Sequence, residues 1–552
     1  MNNEKFSQIK LISNCSVLIT LLITPWFNKD SMVIGKQVSL AILCAYLLPM
    51  AISESKKLLK IIQGKLFVFI LLSLLVQMAL VVLISEAPIE QQFFGRTGRL
   101  LGFVTYLSFY VVLISVTNFI SQSSLDYLLK AFGLCGIVVC AYSIFQSYNL
   151  DFFQWEKRTN SVIGTIGNPN YISALAASIA LPVLYLTYNW NKSRFLSLAV
   201  ITFSVYSIYR TESIQGYLAL IVGLSCFTIY FLIFNKIKYL FVLIPLLIIS
   251  FAIILNGMLG RGPLSSFLYK PSVQSRGDFW RSAIATANDN PIFGVGIDSF
   301  GDYFLMYRDG VAAGHSFAEY TDSAHNFILD FAAQGGYIFA FLNLMIIIFT
   351  LYSFIVYNVI NRKFDFKIIA LFSAWLSLQS TFFVSPISIP LMLWSMVFAG
   401  AINGIFLRQI NQSKLLVESK NSYSFTQFMS LVLILMTTAV MFTSFNTDRL
   451  YLKSLQNNDG NLGIKVVDMF PRSSARYSTV GRLLFESGGS QLPYSLTVAK
   501  KALEFNSNNV SAWALILVNP IATPDERLRA KKEILRLDPY NKEIKSYEIQ
   551  LD

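Results

Sequence analysis

Leu66-Phe67-Val68-Phe69-Ile70-Leu71-Leu72-Ser73-Leu74-Leu75-Val76-Gln77-Met78-Ala79-Leu80-Val81-Val82-Leu83-Ile84 contains no charged residue. As a helix this run rises 1.5 Å per residue, about 28 Å in all, close to the ~30 Å hydrocarbon core of a bilayer. Similar runs recur from the N-terminus to about residue 446. The pattern predicts about thirteen spans, at 10–26, 32–53, 65–85, 99–120, 128–148, 168–188, 195–209, 214–234, 238–256, 330–358, 367–384, 387–407 and 426–446. Only 14% of the 552 residues are charged and the mean hydropathy is +0.55. A soluble chain carries about 25% charged residues. The fold class expected is therefore all-α, a polytopic membrane helix bundle. The first apolar run lacks a small-residue cleavage site, so no signal peptide is expected.

The loops set the orientation. One set is short and basic: Lys56, Lys57, Lys60 and Lys65; Lys192 and Arg194; Lys236 and Lys238; Arg362, Lys363 and Lys367; Arg408, Lys414 and Lys420. With thirteen spans all of these share the side of the N-terminus, and the positive-inside rule makes that side cytoplasmic. The other set, 86–98, 149–167, 210–213 and 257–329, concentrates arginine: Arg96, Arg99, Arg158, Arg210, Arg261, Arg276, Arg281 and Arg308. It also holds both histidines, His315 and His325. Arginine presents a planar fork that matches phosphate oxygens. Arginines kept on the outer face against the chain's own charge bias point to an anionic substrate there.

The net charge of +13 belongs to these loops, not to a basic, aromatic-interleaved module, so no nucleic-acid partner is expected. Cys15, Cys44, Cys135, Cys140 and Cys226 all fall in apolar runs and read as small buried hydrophobes rather than disulfides or zinc ligands. The outer carboxylates Asp278, Asp298, Asp302 and Glu319 have no metal-ligand spacing; they read as arginine partners or solvated loop residues, with no metal or cofactor expected. Four parts follow: membrane helices over 1–256, a large outer loop over 257–329, membrane helices over 330–446, and a polar helical domain over 447–552. In the last, Val466-Val467-Asp468-Met469-Phe470-Pro471, Ala502-Leu503-Glu504-Phe505-Asn506 and Ile534-Leu535-Arg536-Leu537-Asp538-Pro539 echo one another at a period near 34. The echo resembles tetratricopeptide repeats; a helical tail that merely caps the bundle fits as well.

The large loop carries Ser275-Arg276-Gly277-Asp278-Phe279-Trp280, then Asn290-Pro291-Ile292-Phe293-Gly294-Val295-Gly296, then Ala324-His325-Asn326-Phe327-Ile328-Leu329 and Gln334-Gly335-Gly336. Gly294 and Gly296 permit a tight turn, with no βαβ context for a dinucleotide site. Upstream stand Gly95-Arg96-Thr97-Gly98-Arg99-Leu100-Leu101-Gly102 and Gly167-Asn168-Pro169-Asn170-Tyr171. Taken in chain order, with Gly335-Gly336 as the end of the Ala324-His325-Asn326 motif, these five motifs resemble the O-antigen ligase and O-antigen polymerase superfamily over roughly residues 65–410. The family commonly places an arginine after a serine near residue 214; here Ser213 is followed by Ile214, with Arg210 four residues before and Gln215 just after.

The resemblance implies a bacterial cytoplasmic (inner) membrane enzyme that moves a glycan from undecaprenyl diphosphate to an acceptor hydroxyl on the extracytoplasmic face. Its N-terminus would be cytoplasmic and its tail outside. Acceptors consistent with it are lipid, polysaccharide or protein, so ligase, polymerase and protein O-oligosaccharyltransferase all stay open. A secondary transporter or a membrane scaffold are alternatives of another class. His325 is the expected base, and Arg276 and Arg210 the expected stabilisers of the diphosphate leaving group. Arg281, Arg96, Arg99, Gln215, Asn168, Asn170 and Asn326 are expected donor contacts, with helix capping the first reading of Asn168 and Asn170.

Overall fold

The computed structural model describes residues 2–153, 155, 162–191, 194–235, 271–315, 320–410 and 423–549, with short stretches between 245 and 268. The described residues form helices and no strands. Twelve of the expected spans fall on helices. They are Asn2–Leu21, Ile34–Leu58, Ile62–Ile84, Phe103–Phe119, Gln122–Ser147, Pro169–Asn191, Arg194–Arg210, Ile214–Phe234, Phe327–Asn361, Phe366–Phe382, Ile389–Gln409 and Tyr423–Gln456. The expected span 238–256 lies largely outside the described residues, as do Arg158 and Glu319. Eight described helices are long and apolar enough to cross a membrane, and Phe103–Phe119, Leu198–Arg210 and Phe366–Phe382 are shorter apolar helices. The chain is a multi-pass membrane protein.

The helices share one apolar core, in which Ile389–Gln409 is enclosed along its length. Their rims fall into two faces. On one, Lys367 Nζ meets Asp126 Oδ2 at 2.8 Å, Gln409 Nε2 donates to Asn361 Oδ1 at 2.7 Å, and Arg408 Nη2 donates to the Asn118 carbonyl. These are the short basic loops. On the other, Gly98 N donates to Asp30 Oδ2 (2.8 Å), Asp30 N to Asp448 Oδ2 (3.0 Å) and Asn28 Nδ2 to the Phe445 carbonyl (3.0 Å). The Ile214–Phe234 helix ends on the basic face, where Tyr230 OH donates to Asn358 Oδ1 at 2.8 Å. The next long described helix, Pro271–Asp289, lies on the opposite face.

The segment expected as a large loop is itself helical, with Pro271–Asp289 and Phe300–Tyr307 closing a small core of Phe279, Ala283, Phe300, Phe304, Ala324 and Ala333. The tail boundary expected at residue 447 falls inside a helix, because Tyr423–Gln456 continues without a break from apolar to polar sequence. Beyond it, Gly460–Val467, Ser474–Ser487, Leu492–Phe505, Val510–Val518 and Pro524–Leu537 pack each on its neighbour around Tyr477, Val480, Trp513 and Ile534. Each of the three echoing stretches closes one helix and leads into the next, at corners capped by Asn509 Oδ1 on Ala512 N (3.1 Å) and Asn541 Oδ1 on Ile544 N (3.0 Å) in the last two.

The tail is docked on the face that carries the arginine-rich segments. Arg308 Nη2 lies 2.8 Å and 3.1 Å from the two Asp538 oxygens, with the side chains 1% and 4% exposed. Arg472 Nε donates to Glu90 Oε1 (2.8 Å), Thr97 Oγ1 meets Ser473 Oγ (2.7 Å), and Asn506 Nδ2 donates to Asp302 Oδ2 (3.0 Å).

Candidate active site

Glycines build the frame of the site. The Phe327–Asn361 helix breaks at Gly336 (φ 78°, ψ 173°), a backbone setting that disfavours any side chain. The break releases backbone groups that need partners in an apolar setting. The Asn290–Gly296 segment supplies them. Val295 N donates to the Ala333 carbonyl and Gly296 N to the Gln334 carbonyl, both at 2.9 Å, and Tyr337 N donates to the Pro291 carbonyl at 2.8 Å. A Cβ on Gly294 (φ +61°) would lie 2.3 Å from the Gln334 carbonyl carbon. The two motifs are therefore halves of one backbone joint. Gln77, the lone amide of the apolar run from Leu66 to Ile84, binds that joint: its Nε2 donates to Ile292 O (2.6 Å) and Gly335 O (3.1 Å).

The joint aims Asp298 (φ 53°) at the loop between the third span and the Phe103–Phe119 helix. Asp298 Oδ2 accepts from Arg96 N (2.7 Å) and Leu101 N (3.0 Å), and its backbone N donates to Gln334 Oε1 (2.9 Å). Arg99 Nε faces Asp298 Oδ1 at 3.5 Å, Arg99 Nη1 donates to the Asp322 carbonyl, and the two side chains are 8% and 1% exposed. Burial pulls the Arg99 guanidinium down, but Asp298, Asp322 and Asp330 outweigh it and hold it above its ordinary value. Burial raises the Asp298 carboxyl against the pull of Arg99. Arg96 Nη1 is 2.6 Å from Asp302 Oδ1 and its Nη2 donates to Tyr320 OH. Asp278, Asp298 and Asp302 are thus arginine partners.

His325 sits in a left-handed turn (φ 55°) before the Phe327–Asn361 helix. Asp330 builds that turn: its Oδ2 accepts from Ser323 Oγ (2.6 Å) and its Oδ1 from Ala324 N (2.8 Å). Ser323 Oγ in turn accepts from His325 N at 3.0 Å. Asn326 caps the helix, its Oδ1 accepting from Ile328 N (3.1 Å) and Leu329 N (3.2 Å). His325 Nδ1 lies 3.1 Å from the Ser323 carbonyl. A carbonyl only accepts, so Nδ1 carries the proton and the neutral ring keeps its lone pair on Nε2. The ring packs on Phe279 with centroids 5.2 Å apart. Burial, chiefly, pushes the imidazole pKa down to about 4, with the Arg276 charge adding to the shift.

Arg276 lies on the Pro271–Asp289 helix three residues before Phe279, so the two share a face. It is partly buried, burial pushes its guanidinium down, and among the described residues it has no carboxylate partner. Its neighbour Arg281 is occupied: Asp309 Oδ2 and Asp278 Oδ1 each lie 2.6 Å away, and Asp278 Oδ2 also holds His315 Nδ1 at 2.9 Å.

The remaining expected residues form a neighbouring group. Arg210 does not pair with Glu212; its Nε and Nη2 donate to Ser147 Oγ (3.0 Å) and O (2.7 Å), and its guanidinium covers the Tyr148 ring at 4.3 Å. Asn168 Oδ1 accepts from Asn170 N (2.8 Å), the capping role expected, and Asn170 Oδ1 accepts from Ser213 Oγ (2.7 Å). Gln215 Oε1 accepts from Ser385 Oγ at 2.6 Å, leaving its buried Nε2 without an acceptor among the described residues. Sequence reasoning missed Asp330 and Gln77. Each was signalled by a lone polar group in an otherwise apolar run, which is costly in lipid unless it has a partner.

No curated protein matches the chain. Residues 198–345, the stretch that carries Arg210, Arg276 and His325, match the family model described as O-Antigen ligase.

Proposed function

We propose that the protein moves a glycan from an undecaprenyl-diphosphate donor to an acceptor hydroxyl on the extracytoplasmic face of a bacterial cytoplasmic membrane, as an O-antigen ligase does. An O-antigen ligase domain within a multi-pass chain supports a membrane enzyme that acts on lipid-linked glycans. The observation that carries the finer reading is Arg276, a partly buried cation without a carboxylate partner among the described residues, on the helix face that packs against His325. Burying an unpaired charge is unfavourable, and a bound anion relieves that cost.

The chemistry follows from the two side chains. The acceptor oxygen bonds to the anomeric carbon as the bond to the diphosphate oxygen breaks. The leaving diphosphate gains negative charge, which Arg276 is placed to stabilise, with Arg210 as the second cation. The acceptor proton passes to His325 Nε2, which is neutral and open at neutral pH. Arg96, Arg99 and Arg281, held by carboxylates, shape the donor site rather than neutralise the donor. No metal or nucleotide sugar enters this scheme. The basic loops on the other face support a cytoplasmic N-terminus, and the docked tail favours a sizeable acceptor.

The test uses the source cell lacking the gene, with wild type, His325→Ala and Arg276→Gln at equal membrane levels. Surface glycans are run beside the lipid-linked donor pool. Wild type restores the glycan product, and both variants lower transfer at least 100-fold and accumulate donor. Long chains left on lipid identify a ligase, single repeats a polymerase. Glycans and donor unaffected by the deletion would sink the enzyme reading in favour of transport or scaffolding.

A further inference from the structure

On the face of the short basic loops, a cavity of about 460 Å³ opens between the ends of the Pro169–Asn191, Phe327–Asn361 and Phe366–Phe382 helices. Tyr185, Tyr357, Asn361, Lys363, Phe364, Asp365, Phe366 and Lys367 line it. Its size is that of a small-ligand pocket, and it lies across the bundle from the His325 turn.

Its two lysines and the Tyr357 hydroxyl are donors with protons to spare, while Asn361 is paired with Gln409. Lys363 has no ion-pair partner among the described residues, which leaves three N–H groups. Lys367 uses one proton on Asp126 Oδ2 (2.8 Å). Tyr357 OH accepts from Gln122 Nε2 at 3.2 Å and keeps its own proton to donate. The lining carboxylate, Asp365, and the nearby Asp126 are both engaged. Asp365 Oδ1 caps the Phe366–Phe382 helix through Lys367 N (3.0 Å) and Ile368 N (3.2 Å), and Asp126 takes both Lys367 and the Tyr185 hydroxyl (2.7 Å). Arg362, at the end of the Phe327–Asn361 helix, adds a further cation beside Lys363. Beside these donors stand exposed aromatic rings, Phe364 at 39% and Tyr188 at 53% exposure. Amphipathic rings at this level belong to the headgroup zone of a bilayer.

We propose that this cavity seats the phosphate headgroup of an anionic phospholipid. Lys363, Lys367 and Tyr357 converge on the phosphodiester oxygens, and Phe364, Phe366 and Tyr188 meet the glycerol and the first acyl carbons. A free phosphate offers the same oxygens; the rim of exposed rings favours the lipid. Basic pockets between spanning helices on a cytoplasmic face take such headgroups by the same physics. The proposal does not depend on the transferase reading.

The full chain, purified in mild detergent, is titrated with phosphatidylglycerol, phosphatidylcholine or inorganic phosphate, and adducts are counted by native mass spectrometry. Wild type retains one phosphatidylglycerol and releases phosphatidylcholine. Lys363→Glu, an exposed change that leaves the fold intact, binds phosphatidylglycerol at least tenfold more weakly, and Tyr357→Phe binds it several-fold more weakly. Equal retention of phosphatidylcholine, or unchanged binding by Lys363→Glu, overturns the proposal. Binding of inorganic phosphate with no lipid retained overturns the lipid assignment.

Discussion

Replacing Arg308 by Met tests how the tail is held. Arg308 and Asp538 are 1% and 4% exposed, so Arg308→Met leaves a carboxylate buried with its main cation gone. Breaking a buried pair from one side costs about 3–5 kcal/mol, whereas replacing both partners with apolar groups is close to neutral. At 1.36 kcal/mol per factor of ten, the single change shifts the docking equilibrium by about 150- to 5,000-fold. Amide hydrogen exchange reads this, because exchange at the interface follows the local opening equilibrium. Amides of Phe300–Tyr307 and Pro524–Leu537 should exchange faster by that factor in Arg308→Met, while the tail's own core around Trp513 keeps its protection. Arg308→Met with Asp538→Leu should recover most of the loss. A double variant as open as the single one refutes the argument, since the penalty would then not be the stranded carboxylate. Unchanged exchange in Arg308→Met refutes the docking itself.

Protonation of His325 gives a second prediction. Its pKa is pushed down to about 4 from about 6.5 unfolded, so the neutral form stabilises the fold above pH 6.5. That contribution is lost as pH falls from 6.5 through 4. Thermal stability of wild type should decline over that window and transfer rate should fall only as pH nears 4, and His325→Gln should show no such stability decline. The glycine joint gives a third. Gly294→Ala forces a Cβ to 2.3 Å from backbone at φ +61° and should destabilise by about 3 kcal/mol or more, read as lost folded yield. Gly314→Ala, with nothing within 4 Å, should leave yield unchanged.

Local pattern carried much of this fold. A span is a run of apolar residues, a property of neighbours in sequence, and so the run opening at Leu66 predicts the Ile62–Ile84 helix to within a few residues. The segments around His325 and Arg276 stand out in the sequence because each motif is short and contiguous. The arginines were harder. Arg99 reads as a phosphate ligand until Asp298, two hundred residues away, arrives beside it, and no local period encodes that meeting. Likewise Gly294 and Gly336 look like two independent turns, yet each exists to let the other's backbone approach. Arg308 and Asp538 lie on separate parts of the chain, and hydropathy gives no sign of their pairing.

The Tyr423–Gln456 helix runs for 34 residues, about 51 Å at 1.5 Å per residue. A bilayer core takes up about 30 Å of that length. The other ~20 Å runs past the apolar stretch into the tail, packed against the Asn28–Asp30 segment, and the contacts to Glu90 and Asp302 fix the tail's bearing as well. The tail is a canopy rather than a tethered float.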